Sequence, residues 1–75
     1  MALLDDLADA LSAEVFAAMA ETGDDRLHER VAKTIAAMSP SMEEAFLTSI
    51  RLRLAEKRGR QFLMAEVARL KAAAG

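Results

Sequence analysis

The chain has 75 residues, of which 53% are hydrophobic and 29% charged, with a formal net charge of −2. This length allows one domain, and the absence of cysteine excludes disulfides and thiolate metal sites. Seventeen of the hydrophobic residues are alanines and only twenty-three are large. Because so small a core rarely contributes more than ~3–5 kcal/mol without a crosslink, a metal or a partner, we expect association.

The first predicted helix covers residues 4–21 and shows apolar residues at helical spacing. Its stripe consists of Leu4, Leu7, Leu11, Val15 and Met19, with Leu3, Ala8 and Phe16 beside it. Aspartates in its first turns suit the positive end of the helix dipole. Gly23 favours a left-handed stop, so the helix is expected to end just before it.

The second predicted helix covers residues 25–38. Thr22 with Asp25, or Asp24 by itself, can cap its first amides. Its apolar stripe consists of Leu27, Val31, Ile35 and Met38. The proline two residues after this stripe disfavours helical geometry at the residue before it, and so predicts the end of the segment.

The third predicted helix covers residues 40–58, with Ser39 as its cap and Pro40 at its first position. Ser41 with Glu44 offers a competing capping box. The predicted buried face consists of Met42, Phe46, Leu47, Ile50 and Leu54. This stretch has the strongest start signal in the chain, since a cap and a proline occur together.

The fourth predicted helix covers residues 61–73, because Gly59 is expected to end the third. Its stripe is Leu63, Val67 and Leu70, flanked by Phe62 and Met64. No segment alternates with period two, so no strand is predicted. The predicted fold is therefore all-α: one domain of residues 1–75, a compact bundle of four short helices.

Basic residues are concentrated in the second half, where seven bases face four acids, whereas residues 1–38 carry three bases and eight acids. Lysine and arginine can displace counterions from nucleic acid. The net negative charge and the absence of tyrosine and tryptophan for base stacking favour an acidic protein as partner instead. Nucleic acid remains the alternative partner.

Several large apolar residues near the basic stretch do not fit a single buried face. They suggest a contact surface, because exposed apolar patches usually bind a partner. The predicted partner-binding residues are Arg51, Leu52, Arg53, Lys57, Arg58, Arg60, Phe62 and Met64. Met19, Met38 and Met42 are predicted to lie in the core. The function predicted is a small non-catalytic helical interaction module, either an accessory subunit, an adaptor or a homo-oligomer.

His28 is the single histidine, and with nearby Asp24, Asp25 and Glu29 it offers only a weak metal or acid–base group. The neighbouring carboxylates at each helix start are explained by capping and dipole compensation. Glycine-rich phosphate loops, nucleophile motifs and zinc spacings are absent. We therefore expect no enzyme activity, no cofactor and no metal. An acidic start argues against a secretory signal, no apolar run predicts a membrane span, and zero cysteine favours the cytoplasm.

Three stretches of the second half resemble the small C-terminal helical domain of light-independent protochlorophyllide reductase, and its small stand-alone relatives. They are Met38-Ser39-Pro40, Ala55-Glu56-Lys57-Arg58-Gly59 and Ala65-Glu66-Val67. The resemblance implies a proline-opened basic helix, an Ala-x-x-x-Gly turn and a last short helix. Ser41-Met42-Glu43 and Met64 depart from the family pattern. It implies a helical docking module and not reductase activity.

Overall fold

A computed structural model of the protein describes residues 3–75, which form three α-helices: α1 Leu3–Thr22, α2 Leu27–Ala36 and α3 Pro40–Ala74. The chain is helical as predicted, but the prediction of four short helices in a bundle is wrong. Residues 40–58 and 61–73, predicted as two helices, belong to a single helix of 35 residues. This helix is roughly 52 Å long at 1.5 Å per residue, so it sets the 56 Å long dimension of the molecule.

Gly59 does not end α3, because its backbone keeps helical geometry. Among the described residues only Gly23 has a positive φ. A glycine inside a helix costs about 1 kcal/mol relative to alanine, and good helix formers surround this one. The ion pair between Glu56 and Arg60, four residues apart, spans it. Since the preceding turns are already formed, each added residue only propagates the helix and needs no new nucleus.

The turn after α1 follows the sequence prediction. Gly23 has φ 77° and its amide donates to the carbonyl of Met19 at 2.9 Å, which closes the helix. Asp24 Oδ1 accepts the amide of Arg26 at 3.0 Å. α2 therefore begins two residues later than predicted.

The turn into α3 is also as predicted at its cap. Ser39 is extended, with φ −153°, and its Oγ accepts the amide of Met42 at 3.1 Å, with Pro40 at the start of the helix. Ser39 and not Ser41 is therefore the cap. α2 ends earlier than residue 38, since the amides of Met38 and Ser39 both bond to the carbonyl of Ile35.

The core is small and lies where α1, α2 and the first half of α3 meet. Its buried apolar residues are Ala8, Val15, Met19, Ala32, Phe46 and Ile50. Partly buried residues pack around them: Leu11, Phe16, Leu27, Val31, Ile35, Met42, Ala45, Leu47 and Leu54. The predicted buried face of the third helix is confirmed, with Phe46 and Ile50 fully buried.

The buried face of α1 is rotated relative to the predicted stripe. Leu4 and Leu7 are exposed, whereas Ala8 and Ser12 are fully buried. Small side chains let two helix backbones approach closely, so α1 turns its alanine and serine toward its neighbours and leaves its first leucines outside. Met38, predicted in the core, is 89% exposed, because α2 ends before it.

Candidate interaction surface

Arg53, one of the predicted partner-binding residues, is engaged inside the molecule. Its Nε donates to Ser12 Oγ at 2.9 Å and its Nη2 donates to Asp9 Oδ1 at 2.8 Å. Ser49 Oγ donates to the same carboxylate oxygen at 2.7 Å, and the hydroxyls of Ser12 and Ser49 lie 2.6 Å apart. These four side chains, which we call the polar network, join α1 to α3.

The polar network closes into a ring. Each serine hydroxyl has one proton to donate. Because that of Ser49 goes to Asp9, that of Ser12 must go to Ser49 for all the side-chain pairs to be satisfied. The hydrogen bonds from Ser49 and then from Arg53 hold the pKa of Asp9 below its usual value. The fully buried Ser12 is thereby satisfied, and the ring fixes the register of α1 against α3.

The sequence carries no direct signal for this network. Ser12 lies within the apolar face of α1 and Ser49 is near the buried face of α3, so each alone looks like a tolerated small polar residue. A serine at a buried helical position is a weak sign of an interhelical hydrogen bond, because a buried hydroxyl needs a partner. Its partner could not be named without the helix pairing.

The other basic residues of the predicted set remain on the surface. Lys57 Nζ lies 5.6 Å from the ring centroid of Phe16, within range of a cation–π contact, and Arg60 pairs with Glu56. Two more are exposed and make no ion pair within residues 3–75: Arg51 and Arg58. The basic stretch is thus partly neutralised by the chain's own acids, and it is not one open cationic face.

A cleft between the end of α1 and α3 is too small for a typical small-molecule site. Its volume is about 210 Å³ and its walls include Phe16, Met19, Leu54 and Lys57. Ligand pockets usually measure at least ~300 Å³. The cleft is the edge of the core, bordered by the cation–π contact.

His28 is half-buried on α2, and its Nδ1 is buried without a hydrogen-bond partner. The nearby acids turn to arginines: Asp24 pairs with Arg30, and Glu29 with Arg26 at 3.5 Å. Over the part of the chain that the structure describes, no three His, Cys, Asp or Glu side chains converge to hold a metal ion. The geometry therefore brings no acid–base or metal group together around His28.

The last part of α3 extends beyond the rest of the molecule. We call residues 62–74 the tip, and α1, α2 and residues 40–61 the body. Every residue of the tip is exposed except Glu66. Its large apolar residues are Phe62, Leu63, Met64, Val67 and Leu70, of which all but Val67 expose more than half of their surface. The predicted contact residues Phe62 and Met64 lie here.

The apolar face of α3 changes direction between the body and the tip. At about 100° per residue, the face defined by Leu63, Val67 and Leu70 lies roughly a third of a turn away from that of Phe46 and Ile50. Leu52, which is 67% exposed, falls on the tip face two turns before Gly59. One helix therefore presents one apolar face to the core and a second to solvent.

Ion pairs within the tip and at its base support its helical form without packing. Arg69 pairs with Glu66, three residues earlier, and Arg60 with Glu56. Pairs at this spacing stabilise a helix by about 0.2–0.5 kcal/mol each. The amide of Gly75 donates to the carbonyl of Lys71 at 3.0 Å and closes the last turn.

No family model, curated protein or solved structure matches this chain. The resemblance to the protochlorophyllide reductase domain stays a prediction. The turn that it implies between Ala55 and Gly59 is absent, because both residues lie inside α3. None of the helices within residues 3–75 combines the length and the apolar character that crossing a membrane requires.

Proposed function

We propose that this chain is a small non-catalytic interaction module, an accessory subunit, adaptor or homo-oligomer, that acts through protein–protein contact made by the tip of α3. The observation that supports it is the exposed apolar face of Leu63, Val67 and Leu70 on a helix end with no neighbouring element. Exposed apolar surface of this kind usually marks a binding site, and helices commonly bind through residues spaced three and four apart.

The size of the core supports the same proposal. Six apolar residues are buried, and two of them are alanines. A domain with so little buried surface is marginally stable by itself. A partner that binds only the folded chain stabilises it by mass action, so contact supplies what the core lacks.

The alternative of nucleic-acid binding is less well supported by the geometry. Arg53, Arg60 and Arg69 each pair with an acid of the same chain. Phosphate binding needs cations that are available to replace counterions. The apolar character of the tip face is instead suited to a protein surface.

A pair of matched variants tests the proposal. L63Q/L70Q removes two leucines from the tip face, whereas A65Q/A72Q places the same residues seven apart on the opposite face. We expect wild type and A65Q/A72Q to associate, with themselves or with a protein retained from a lysate of the source cells, and L63Q/L70Q to lose this association. All three should have the same melting temperature when dilute, because the tip does not pack on the body.

Two measurements are sufficient: sedimentation over a wide concentration range and affinity capture with each variant as bait. Wild type that neither self-associates nor retains a partner would contradict the proposal. So would an L63Q/L70Q variant that associates as strongly as wild type.

A further inference from the structure

The start of α1 carries a second exposed apolar surface, which we call the α1 patch. It consists of Leu3, Leu4 and Leu7, of which Leu3 is 59% and Leu7 50% exposed. Asp6 is three residues after Leu3, and Glu14 is two turns after Leu7 on the same face, so acids border the patch. The patch is apolar at its centre and acidic at its edge.

The tip of α3 has the opposite character at its edge. Arg60 is three residues before Leu63, and Lys71 is four residues after Val67, so both neighbour the apolar face. From Arg58 to Lys71 the chain has four bases and one acid, whereas α1 has five acids and no base. The intervening residues 23–57 have equal numbers of acids and bases. The charge asymmetry of the chain is therefore concentrated on these two surfaces.

The two surfaces lie at opposite ends of one molecule. α1 and α3 run in the same direction, since Asp9 contacts Ser49 and Phe16 contacts Lys57 further along both helices. The α1 patch precedes Asp9, and Leu70 lies about 30 Å beyond Ser49 along the helix axis. A tip cannot reach the α1 patch of its own chain.

We propose that the tip of α3 docks on the α1 patch of a second copy of this chain. This inference rests on the proposed contact function of the tip. Apolar centres would meet, and the basic edge of the tip would face the acidic edge of the patch. Pairing of two tips is disfavoured, because both are basic and like charges across an interface oppose binding.

Such a contact is heterologous: each copy presents one tip and one patch, so copies add head to tail unless the rotation closes a ring. Both surfaces are small, which places the contact among weak, concentration-dependent interfaces. Exposed charge pairs are screened over about 10 Å at 0.1 M salt. Association should therefore weaken as salt is raised.

Complementary charge reversal tests this arrangement. One variant, D6K/E14K, makes the edge of the patch basic and leaves the tip basic. The other, R60E/K71E, makes the edge of the tip acidic and leaves the patch acidic. Each variant alone places like charges at both contacts, so its self-association should weaken by at least about tenfold, which is about 1.4 kcal/mol. An equimolar mixture restores opposite charges at both contacts and should associate about as strongly as wild type.

Sedimentation reports these outcomes against the single-chain mass of 8.1 kDa, with circular dichroism to confirm that each variant is helical. As a control, the same mixture with L63Q/L70Q added to both variants should stay dissociated, because charge attraction alone does not make the contact. Association of either variant alone at wild-type strength, or a mixture that stays dissociated, would overturn the proposal.

Wild type that remains a single chain at every concentration would also overturn it. If L63Q/L70Q then still abolishes capture of a different protein, the contact function of the tip stands and only the second copy is excluded. If no capture depends on the tip, both proposals fail.

Discussion

Phe46 and Phe62 are the same residue type on the same helix, four turns apart and with opposite environments. Phe46 is fully buried between α1, α2 and α3, whereas Phe62 is 69% exposed on the tip. The body holds its helices by packing. The tip is helical because good helix formers continue a helix whose first turns are anchored in the body.

The difference shows that a helical pattern of apolar residues identifies a face but not what covers it. The stripe of Leu63, Val67 and Leu70 is as regular as the buried face of the body, yet no element of the described chain lies against it. In the body the apolar face is satisfied within the chain. On the tip it is available for a partner, and this is the physical basis of the proposed contact.

The largest expected effect comes from truncating the two phenylalanines. Phe46→Ala removes a buried ring and leaves a cavity, which typically costs about 3–5 kcal/mol. In so small a domain that loss should unfold most of the body at room temperature. Phe62→Ala is the matched control and should change the free energy of unfolding by less than about 0.5 kcal/mol. Urea denaturation followed by circular dichroism measures both.

A substantial loss of stability in Phe62→Ala, measured on dilute protein, would break this comparison. It would mean that the tip folds back onto the body and that its apolar face is covered within the chain. A small effect of Phe46→Ala would show equally that the core is not where the structure places it.

The next effect concerns the junction of body and tip at Gly59. Gly59→Pro removes an amide hydrogen bond and clashes with the preceding turn, a local cost of about 3 kcal/mol. We expect the amides of the tip to lose protection from hydrogen exchange while the melting temperature of the body stays unchanged. Gly59→Ala should do the reverse and slow exchange in the tip by up to about fivefold, since alanine favours the helix by about 1 kcal/mol.

The space around Gly59 makes this a clean test, because an added Cβ would meet nothing within 4 Å. The alanine variant therefore reports helix propensity without new contacts. Faster exchange in Gly59→Ala would indicate that residues 59–61 form a turn after all, as the sequence predicted. A change in the body's melting temperature with Gly59→Pro would show that the two regions are coupled.

The body was predicted better than the tip, for physical reasons. The stops at Gly23 and Ser39-Pro40 depend on local chemistry, which a sequence shows directly, and both are confirmed. Gly59 misled because a glycine permits a left-handed stop without requiring one. The sequence predicted contact residues at Leu52, Phe62 and Met64, and all three are exposed.

What the sequence could not show depends on pairing between helices. Arg53 was placed with the partner-binding residues, since its pairing with Asp9 follows from the crossing of α1 and α3. The exposure of Leu4 and Leu7 has the same origin, because Ala8 and Ser12 occupy the closest approach. Such choices among faces of similar hydrophobicity are made by the fit of two surfaces.

A smaller effect is expected from the hydroxyl at the centre of the polar network. Ser12→Ala leaves Ser49 and Arg53 without a partner and should cost about 1–2 kcal/mol. Ser49→Ala in the same protein should add less than its effect alone, with a coupling of at least about 0.5 kcal/mol. Ser41→Ala, at an exposed serine, is the control. Additive effects in this double-mutant cycle would mean that the hydroxyls do not bond each other.

The smallest effect is the pH dependence that Asp9 confers on the body. Its pKa is lowered in the folded chain, first by the hydrogen bond from Ser49 and then by Arg53. The folded state therefore binds that proton less readily than the unfolded state, whose aspartate pKa is about 3.9. The stabilisation is complete above that value and is lost as the pH falls through the lowered folded pKa.

Two substitutions on α1 separate this contribution from the general effect of acid. Asp9→Asn should flatten the acid limb of stability, measured as the melting temperature against pH, whereas Glu14→Gln, an acid outside the polar network, should leave it in place. The tip contains no part of the network, so protection of its amides should follow the same pH curve in wild type and in Asp9→Asn. An acid limb that Asp9→Asn leaves unchanged would show that the ring between α1 and α3 is not what holds the body's register.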